Sequence, residues 1–231
     1  MGSGALDFVN HGALAHLLDA VVADFQPIRK ILLISPSRSD RHFVRKLFPR
    51  ALIIPSQIFT WDLDNPPPAH YPKVDLAISS HVQMYAADPE RWIRNILSLA
   101  NLYAFQDLKY RKRSLEGCGF GVDGDRIRYT LKPEESRQPS FALEQLPFRI
   151  HEFFEFEGIR NELHGKDDPP IHICAAVSNG GGSATRISFG DILFSGKQDA
   201  VIFTKTNLRR LSRRLFRQTG TPGRTQPGQL S

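Results

Sequence analysis

Four groups of side chains in this 231-residue chain stand at spacings that could do chemistry. Asp107, Lys109, Arg111 and Arg113 alternate along one run, so on a strand they project to one side as a carboxylate followed by three cations. Such a rim suits an anionic molecule, with Asp107 beside it to handle a proton. Ser79, Ser80 and His81 close the apolar run VDLAISS. A histidine there could serve as a base near neutral pH, or simply cap and pack. Asp62 and Asp64 stand in the proline-rich TWDLDNPPP, where a carboxylate could grip two vicinal hydroxyls or close an Asx turn. Ser35, Ser37 and Arg38 end the run ILLI around Pro36, whose φ is fixed.

Other chemistries find no support. His151, His164, His172 and Cys174 lie in the second half, but only His172 and Cys174 share a strand face, so no metal is expected. No GxSxG elbow occurs. GCGFG at 117–121 has a GxGxG spacing, yet no buried strand precedes it and an extended DRIRY follows, so it reads as a loop over the sheet edge. Cys118 and Cys174 match no CxxC spacing, which predicts neither a disulfide framework nor a structural metal and makes a reducing cytoplasm the default. No apolar run approaches the roughly 20 residues that span a bilayer, and the N-terminal residues lack the pattern of a signal peptide.

The elements that must position these groups follow from periodicity. Apolar residues from Leu6 to Val22 recur at helical spacing and predict a leading helix packed on a sheet. Lys30 to Ser35, Ala51 to Pro55, Val74 to Ser79 and Leu102 to Leu108 read as strands, the first and third apolar enough to be buried on both faces. Asp40 is the expected cap of a helix through Phe48, and Asp88 with Pro89 opens a second helix to about Ala100. This alternation predicts a doubly wound, mostly parallel α/β sheet. Arg149 to Glu157 and Ile171 to Ser178 predict a terminal antiparallel hairpin. Residues 112–140 offer only a short strand near Arg126 to Leu131, and ISFGDILF with DAVIFTK suggests a small extra hairpin.

Charge divides the chain differently. The formal charge is +6, and no acid follows Asp199 whereas seven Lys and Arg do, so +6 less seven leaves the first 199 residues near −1. The body thus has no nucleic-acid footprint. In NLRRLSRRLFRQ the apolar residues Leu208, Leu211, Leu215 and Phe216 share a helical face. Residues 206–217 could therefore meet an anionic membrane surface, an acidic protein partner, or their own domain. The textures divide the chain into a leading helix (1–27), an α/β domain (28–178), a linker with small hairpin (179–205) and a basic helix with tail (206–231). Peripheral attachment at a membrane would come from the last of these.

From 74 onward, VDLAISSHVQMYAADPERWIRNILSLANLYAFQDLKYRKR resembles the middle of class I S-adenosylmethionine-dependent methyltransferases: Asp75-Leu76 in a strand, a short helical turn at His81 to Tyr85, Asp88-Pro89-Glu90-Arg91-Trp92 opening a helix, then a strand. The terminal hairpin is similar to the family's antiparallel sixth and seventh strands. The resemblance covers roughly residues 28–178 and implies a Rossmann-like sandwich. It implies S-adenosylmethionine, and no metal, near Ser35, Ser37, Arg38, Asp62, Ser79 and Ser80, with His81 and Asp107 at the reaction and Lys109, Arg111 and Arg113 toward a polar or anionic small-molecule or glycan acceptor. The chain departs from the pattern twice. Ser35-Pro36-Ser37 stands where the family has a G-x-G loop, and Ile54-Pro55-Ser56 ends a strand that normally delivers a ribose-binding acid. A scaffold kept for binding or assembly, without catalysis, is the other function the resemblance allows.

Overall fold

Strands with little polar alternation need cover on both faces, and here both are covered. The computed structural model describes residues 3–56, 61–82, 89–109, 119–123, 126–130, 140–142, 148–157, 171–180, 187–189, 205 and 207–215. The main strands are β1 (Lys30–Ile34), β2 (Leu52–Ser56), β3 (Val74–Ser80) and β4 (Ala100–Lys109). Ile31, Leu33, Leu76, Ile78, Leu102 and Ala104 turn one face of this sheet toward α1 (Ser3–Val21) and α2 (Arg38–Leu47). Leu32, Ile34, Ala77, Tyr103 and Phe105 turn the other toward α3 (Pro89–Leu97), which contributes Trp92, Ile93 and Ile96.

A small sheet follows in the chain: β5 (Gly119–Asp123), β6 (Arg126–Thr130) and β7 (Ser140–Ala142). Then β8 (Phe148–Glu157), β9 (Ile171–Asn179) and β10 (Ile187–Phe189) complete the main one, in the order β10-β8-β9-β4-β3-β1-β2. β9 runs antiparallel between β4 and β8. The pairs β1–β2, β1–β3, β3–β4 and β8–β10 are parallel. This is the expected mostly parallel, Rossmann-like α/β sheet with its reversed terminal hairpin.

Several details differ from the sequence expectation. The cap of α2 is Ser37, not Asp40: its backbone is extended (φ −64°, ψ 170°) and its Oγ accepts from Asp40 N at 3.1 Å. The Asp40 carboxylate returns the contact by accepting from Ser37 N at 2.8 Å, a reciprocal capping box. Gly119, Phe120 and Gly121 belong to β5, where they pair with Thr130, Tyr129 and Arg128; they are a strand rather than a loop. Two glycines hid the alternation of Phe120 and Val122. Gly117 and Cys118 lie outside the described residues, as does Asp88. β10 extends the main sheet beside β8, and the DAVIFTK half of the expected hairpin lies outside the described residues apart from Lys205.

Residues 207–215 form a further helix, α4. Of the three destinations open to this amphipathic segment, its own domain is the one it takes. Leu211 is 1% exposed in the core beneath α1, with Leu208 and Leu215 packed beside it. Asn207 Nδ2 donates to Gly12 O at 3.2 Å, and Arg214 donates to Asp19 O at 2.6 Å while its Nε lies 3.1 Å from Asp19 Oδ1. The divisions at 27 and 206 are therefore changes of sequence texture, and α1 and α4 share one core with the sheet. Leu211→Ala is expected to destabilise the protein by about 2–4 kcal/mol through the cavity it leaves. A urea titration at neutral pH measures this, and an unchanged midpoint would mean that α4 is not packed as described.

Candidate functional site

Strand order reverses between β1 and β3, because α2 leaves β1 over one face and α3 follows β3 over the other. Loops that diverge in this way open a crevice at the carboxyl ends of the strands, where α/β sheets hold ligands. The first residues past those ends are Ser35 and His81, and the register pairs Ile34 with Ser79 directly beneath them. Both adopt left-handed backbone, φ +47° and +55°. For a residue with a Cβ this costs about 1–2 kcal/mol and persists only where the surroundings enforce it. Hydrogen bonds to the next strand enforce it here: Ser35 N donates to Ser56 O at 2.6 Å and His81 N to Gln106 O at 2.8 Å.

Around His81 the crevice is polar yet closed off. Its ring centroid lies 5.8 Å from that of His172, and its Nε2 is buried with no hydrogen-bond partner among the described residues. Burial pushes the His81 pKa from 6.5 down to about 4, and the nearby Asp40 carboxylate opposes this only in part. The imidazole is neutral at pH 7. Gln106, fully buried, donates from Nε2 to Asn10 Oδ1 at 2.8 Å and lies 3.1 Å from His172 Nδ1. Since the amide nitrogen can only donate, His172 Nδ1 is the acceptor in that bond.

α1 reaches this site through two side chains. Asn10 meets Gln106, and His11 Nε2 lies 3.0 Å from Asp40 Oδ1 while its ring stacks on Phe43 at 4.4 Å. Burial alone would raise the Asp40 pKa, but hydrogen bonds from His11 and Ser37 outweigh it and hold the carboxyl below its ordinary value. Asp40 thus joins two tasks: it completes the α2 cap and anchors α1.

The residues singled out from sequence distribute unevenly. Ser35, Ser79, Ser80 and His81 do gather at the crevice, Ser79 with its Oγ 2.6 Å from Tyr103 OH in the core. Ser37 is occupied by its cap, and Arg38 is exposed on the first turn of α2. Asp62 is exposed and closes an Asx turn, accepting from Asp64 N at 3.1 Å and Asn65 Nδ2 at 2.8 Å. At the end of β2, buried Ser56 has its Oγ 2.8 Å from Tyr71 OH. Asp107 and Lys109 continue β4 opposite Ile173 and Ile171, whereas Arg111 and Arg113 lie outside the described residues. No group of three metal-ligating side chains occurs among the described residues. Asn10, His11 and Gln106 were missed, and His172 was weighed only as a metal ligand. Their sequence signal was polarity inside apolar elements, as in YAFQDL.

No family model matches the chain, and no curated protein matches it. Several solved structures are similar to it in part. The plantazolicin methyltransferase BpumL, solved with S-adenosylhomocysteine, is 13% identical over 46% of this chain and 48% of its own, with a TM-score of 0.35. An O-methyltransferase from a trans-AT polyketide synthase of Brevibacillus brevis, also with S-adenosylhomocysteine, is 10% identical over 95% and 86%, at 0.37. A Haemonchus contortus phosphoethanolamine N-methyltransferase is 8% identical over 74% and 38%, at 0.41. The chain spans about half the length of the BpumL structures it matches. The fold itself is assigned from the strand order.

A lowered His81 pKa has a definite sign in stability. The unfolded chain binds a proton at this ring near pH 6.5 and the folded protein only near 4, so stability is complete above 6.5 and falls as pH drops between them. The loss from this ring is roughly 3 kcal/mol. His81→Asn, whose side chain tolerates left-handed backbone, should flatten the slope of unfolding free energy between pH 6.5 and 4 relative to wild type. Equal slopes in the two proteins would contradict a buried, neutral His81.

Proposed function

We propose that this protein is a divergent S-adenosylmethionine-dependent methyltransferase acting on a polar or anionic small-molecule or glycan acceptor. One observation carries the reading: at the reversal point of the sheet, His81 presents a partly buried, neutral imidazole whose Nε2 is buried and has no partner among the described residues. A buried polar atom left unsatisfied costs about 1–3 kcal/mol, so it marks a place made for a ligand atom.

The residues fit the cofactor in part. Ser35 takes the left-handed turn after β1 that a glycine would otherwise supply, so the backbone of that loop keeps a shape suited to close approach. Ser35, Ser80 and the backbone at Ser79 to His81 would hold the nucleoside, and Arg38, at the open end of α2, the carboxylate. Asp62 and Ser56 are spent on their own loops, so the ribose would be held without an acid. When bound, the cofactor supplies an electrophilic methyl group on sulfur. The chain's own task is alignment and exclusion of water. His81 accepts a hydrogen bond from the acceptor's O–H or N–H and receives its proton. Asp107 and Lys109 continue β4 beyond Gln106, and the anionic part of the acceptor would be met by Lys109 together with Arg111 and Arg113, which lie outside the described residues.

A second reading has its own support. His11 clamps α1 across the start of α2 through Asp40, and Ser37 is consumed by the same cap, which suits a scaffold kept for binding or assembly without catalysis. Titration calorimetry with S-adenosylhomocysteine, paired with thermal unfolding, separates the two. Saturable binding is expected, with a stabilisation of about 2.7 kcal/mol at about a hundredfold excess over Kd. His81→Asn should retain that binding and lower methyl transfer by about 10²-fold or more. Neither heat nor stabilisation at millimolar ligand would remove the methyltransferase reading and leave the scaffold.

A further inference from the structure

At the end of α1 remote from His11, a cavity of about 810 Å³ opens between α1, β8 and α4, a volume within the range of small-molecule sites. An extra residue in β8 shapes its wall. The register pairs Ile150 with Val177 and Glu152 with Ala176, which leaves His151 unmatched across the ladder. Three apart, Arg149 and Glu152 would face opposite ways on a regular strand; the bulge turns both toward α1, on the face that holds Ala176. His151 lines the cavity with them. Opposite stands the end of α1, where a 3₁₀ turn over Val22–Phe25 brings in Asp24 and Phe25. α4 adds Arg210 and Arg214, four residues apart on one helical face.

Charge in this cavity is sorted into two poles. At one, Arg210 and Arg214 bracket Asp19: Arg214 Nε lies 3.1 Å from Oδ1, while Arg210 Nε is 4.0 Å from Oδ2, at the outer reach of an ion pair. One carboxylate thus answers two guanidinium groups, whose side chains stay 60% and 55% exposed. At the other pole, the exposed Asp24 carboxylate makes no hydrogen bond or ion pair among the described residues. Phe25 stands beside it, its ring centroid 5.0 Å from that of His151 in an edge contact. Burial and the Arg149 charge hold the His151 pKa below 6.5 against the pull of Asp24, so its imidazole is neutral at pH 7 and leaves that carboxylate unanswered. Arg149 and Glu152, opposite in sign, each have interactions of their own. From Asp19 to Asp24 the chain climbs two α-helical and three 3₁₀ steps, about 9 Å at about 1.5 and 2.0 Å each.

We propose that this cavity binds a linear zwitterion, a peptide of about three residues with both termini free, its ammonium group at Asp24 and Phe25 and its carboxylate at Arg210 and Arg214. A single α-amino acid carries its two charges too close together to reach both poles, whereas three extended residues span about 10 Å. Each terminus meets matching chemistry. Arginine presents paired N–H donors to a carboxylate, and an aromatic ring beside a carboxylate suits an ammonium group. A ligand of one sign fits poorly: Asp19, Asp24 and Glu152 oppose a polyanion, and the three arginines oppose a polycation.

Titration calorimetry of the full chain with trialanine, paired with thermal unfolding, tests this. Saturable binding is expected, with a Kd in the millimolar range or below. Blocking the ammonium group in N-acetyltrialanine, or the carboxylate in trialanine amide, should each weaken it by about tenfold or more, the loss of one charge-assisted contact. Alanine itself should bind no better than either blocked peptide. Two exposed substitutions assign the poles: Asp24→Asn and Arg210→Gln should each weaken trialanine by about tenfold and leave the unfolding midpoint of the free protein in place. N-acetylation should then cost less in Asp24→Asn than in the unaltered protein, and amidation less in Arg210→Gln. S-adenosylhomocysteine should not displace the peptide, because the crevice lies at the other end of α1, so the result is separable from what the crevice binds. The blocked peptides are compared on the unaltered protein, so that comparison stands whatever the substitutions do to folding. Neither heat nor stabilisation with trialanine at millimolar concentration, equal affinity for free and blocked peptides, or displacement by S-adenosylhomocysteine would each overturn the proposal.

Discussion

Burial of the central sheet on both faces is the constraint from which the rest follows. Leu32 and Leu33, adjacent in β1, are each 1% exposed because one belongs to the core under α3 and the other to the core under α1 and α2. Such strands have no face to give to solvent, so polar function is displaced to the strand ends, and the ends that diverge most are those of β1 and β3. Strained backbone collects at that same spot. Ser35 and His81 are held in left-handed conformations by hydrogen bonds into β2 and β4, which a less rigid sheet would not sustain.

Some of the polar groups buried in this core are wired together. Gln106, Asn10 and His172 form a chain of contacts from β4 to α1 and β9, while His11 and Asp40 tie α1 to the cap of α2. α1 therefore serves as cover for the sheet and as a wall of the crevice. It also forms the seat for α4, through Gly12 and Asp19. A second cavity, of about 810 Å³, opens where α1, the start of β8 and α4 meet, lined by Asp19, Asp24, Arg149 and Arg210 among others, with cations and carboxylates in balance. It lies at the other end of α1 from the crevice.

Most of the architecture was legible because it rests on local patterns. Apolar runs of strand length, the Asp88-Pro89 start and the paired runs at 149–157 and 171–178 each declare their element within a few residues. What escaped was either weakly patterned or non-local. β5 was concealed by Gly119 and Gly121, and the α2 cap was shifted by three residues because Ser37 and Asp40 both suit a cap and only the backbone chose between them. At the site, the end of β3 was foreseen. The partners that define it, Asn10, Gln106 and His172, come from residues as many as 162 positions apart and share no motif.

The sequence by itself determined the alternation of elements, the reversed terminal hairpin, and the run of arginines from 209 to 217 with no acid among them, because composition and spacing suffice for each. Tertiary structure alone decided where the amphipathic segment at 207–215 would turn its leucines, since an apolar stripe is equally satisfied by a membrane, a partner or its own core, and only the shape of the surface under α1 distinguishes them. It likewise decided that His81 is neutral and that Asp62 is occupied. A side chain's protonation and its free hydrogen-bonding capacity are set by what folds around it, and those neighbours are distant in the chain.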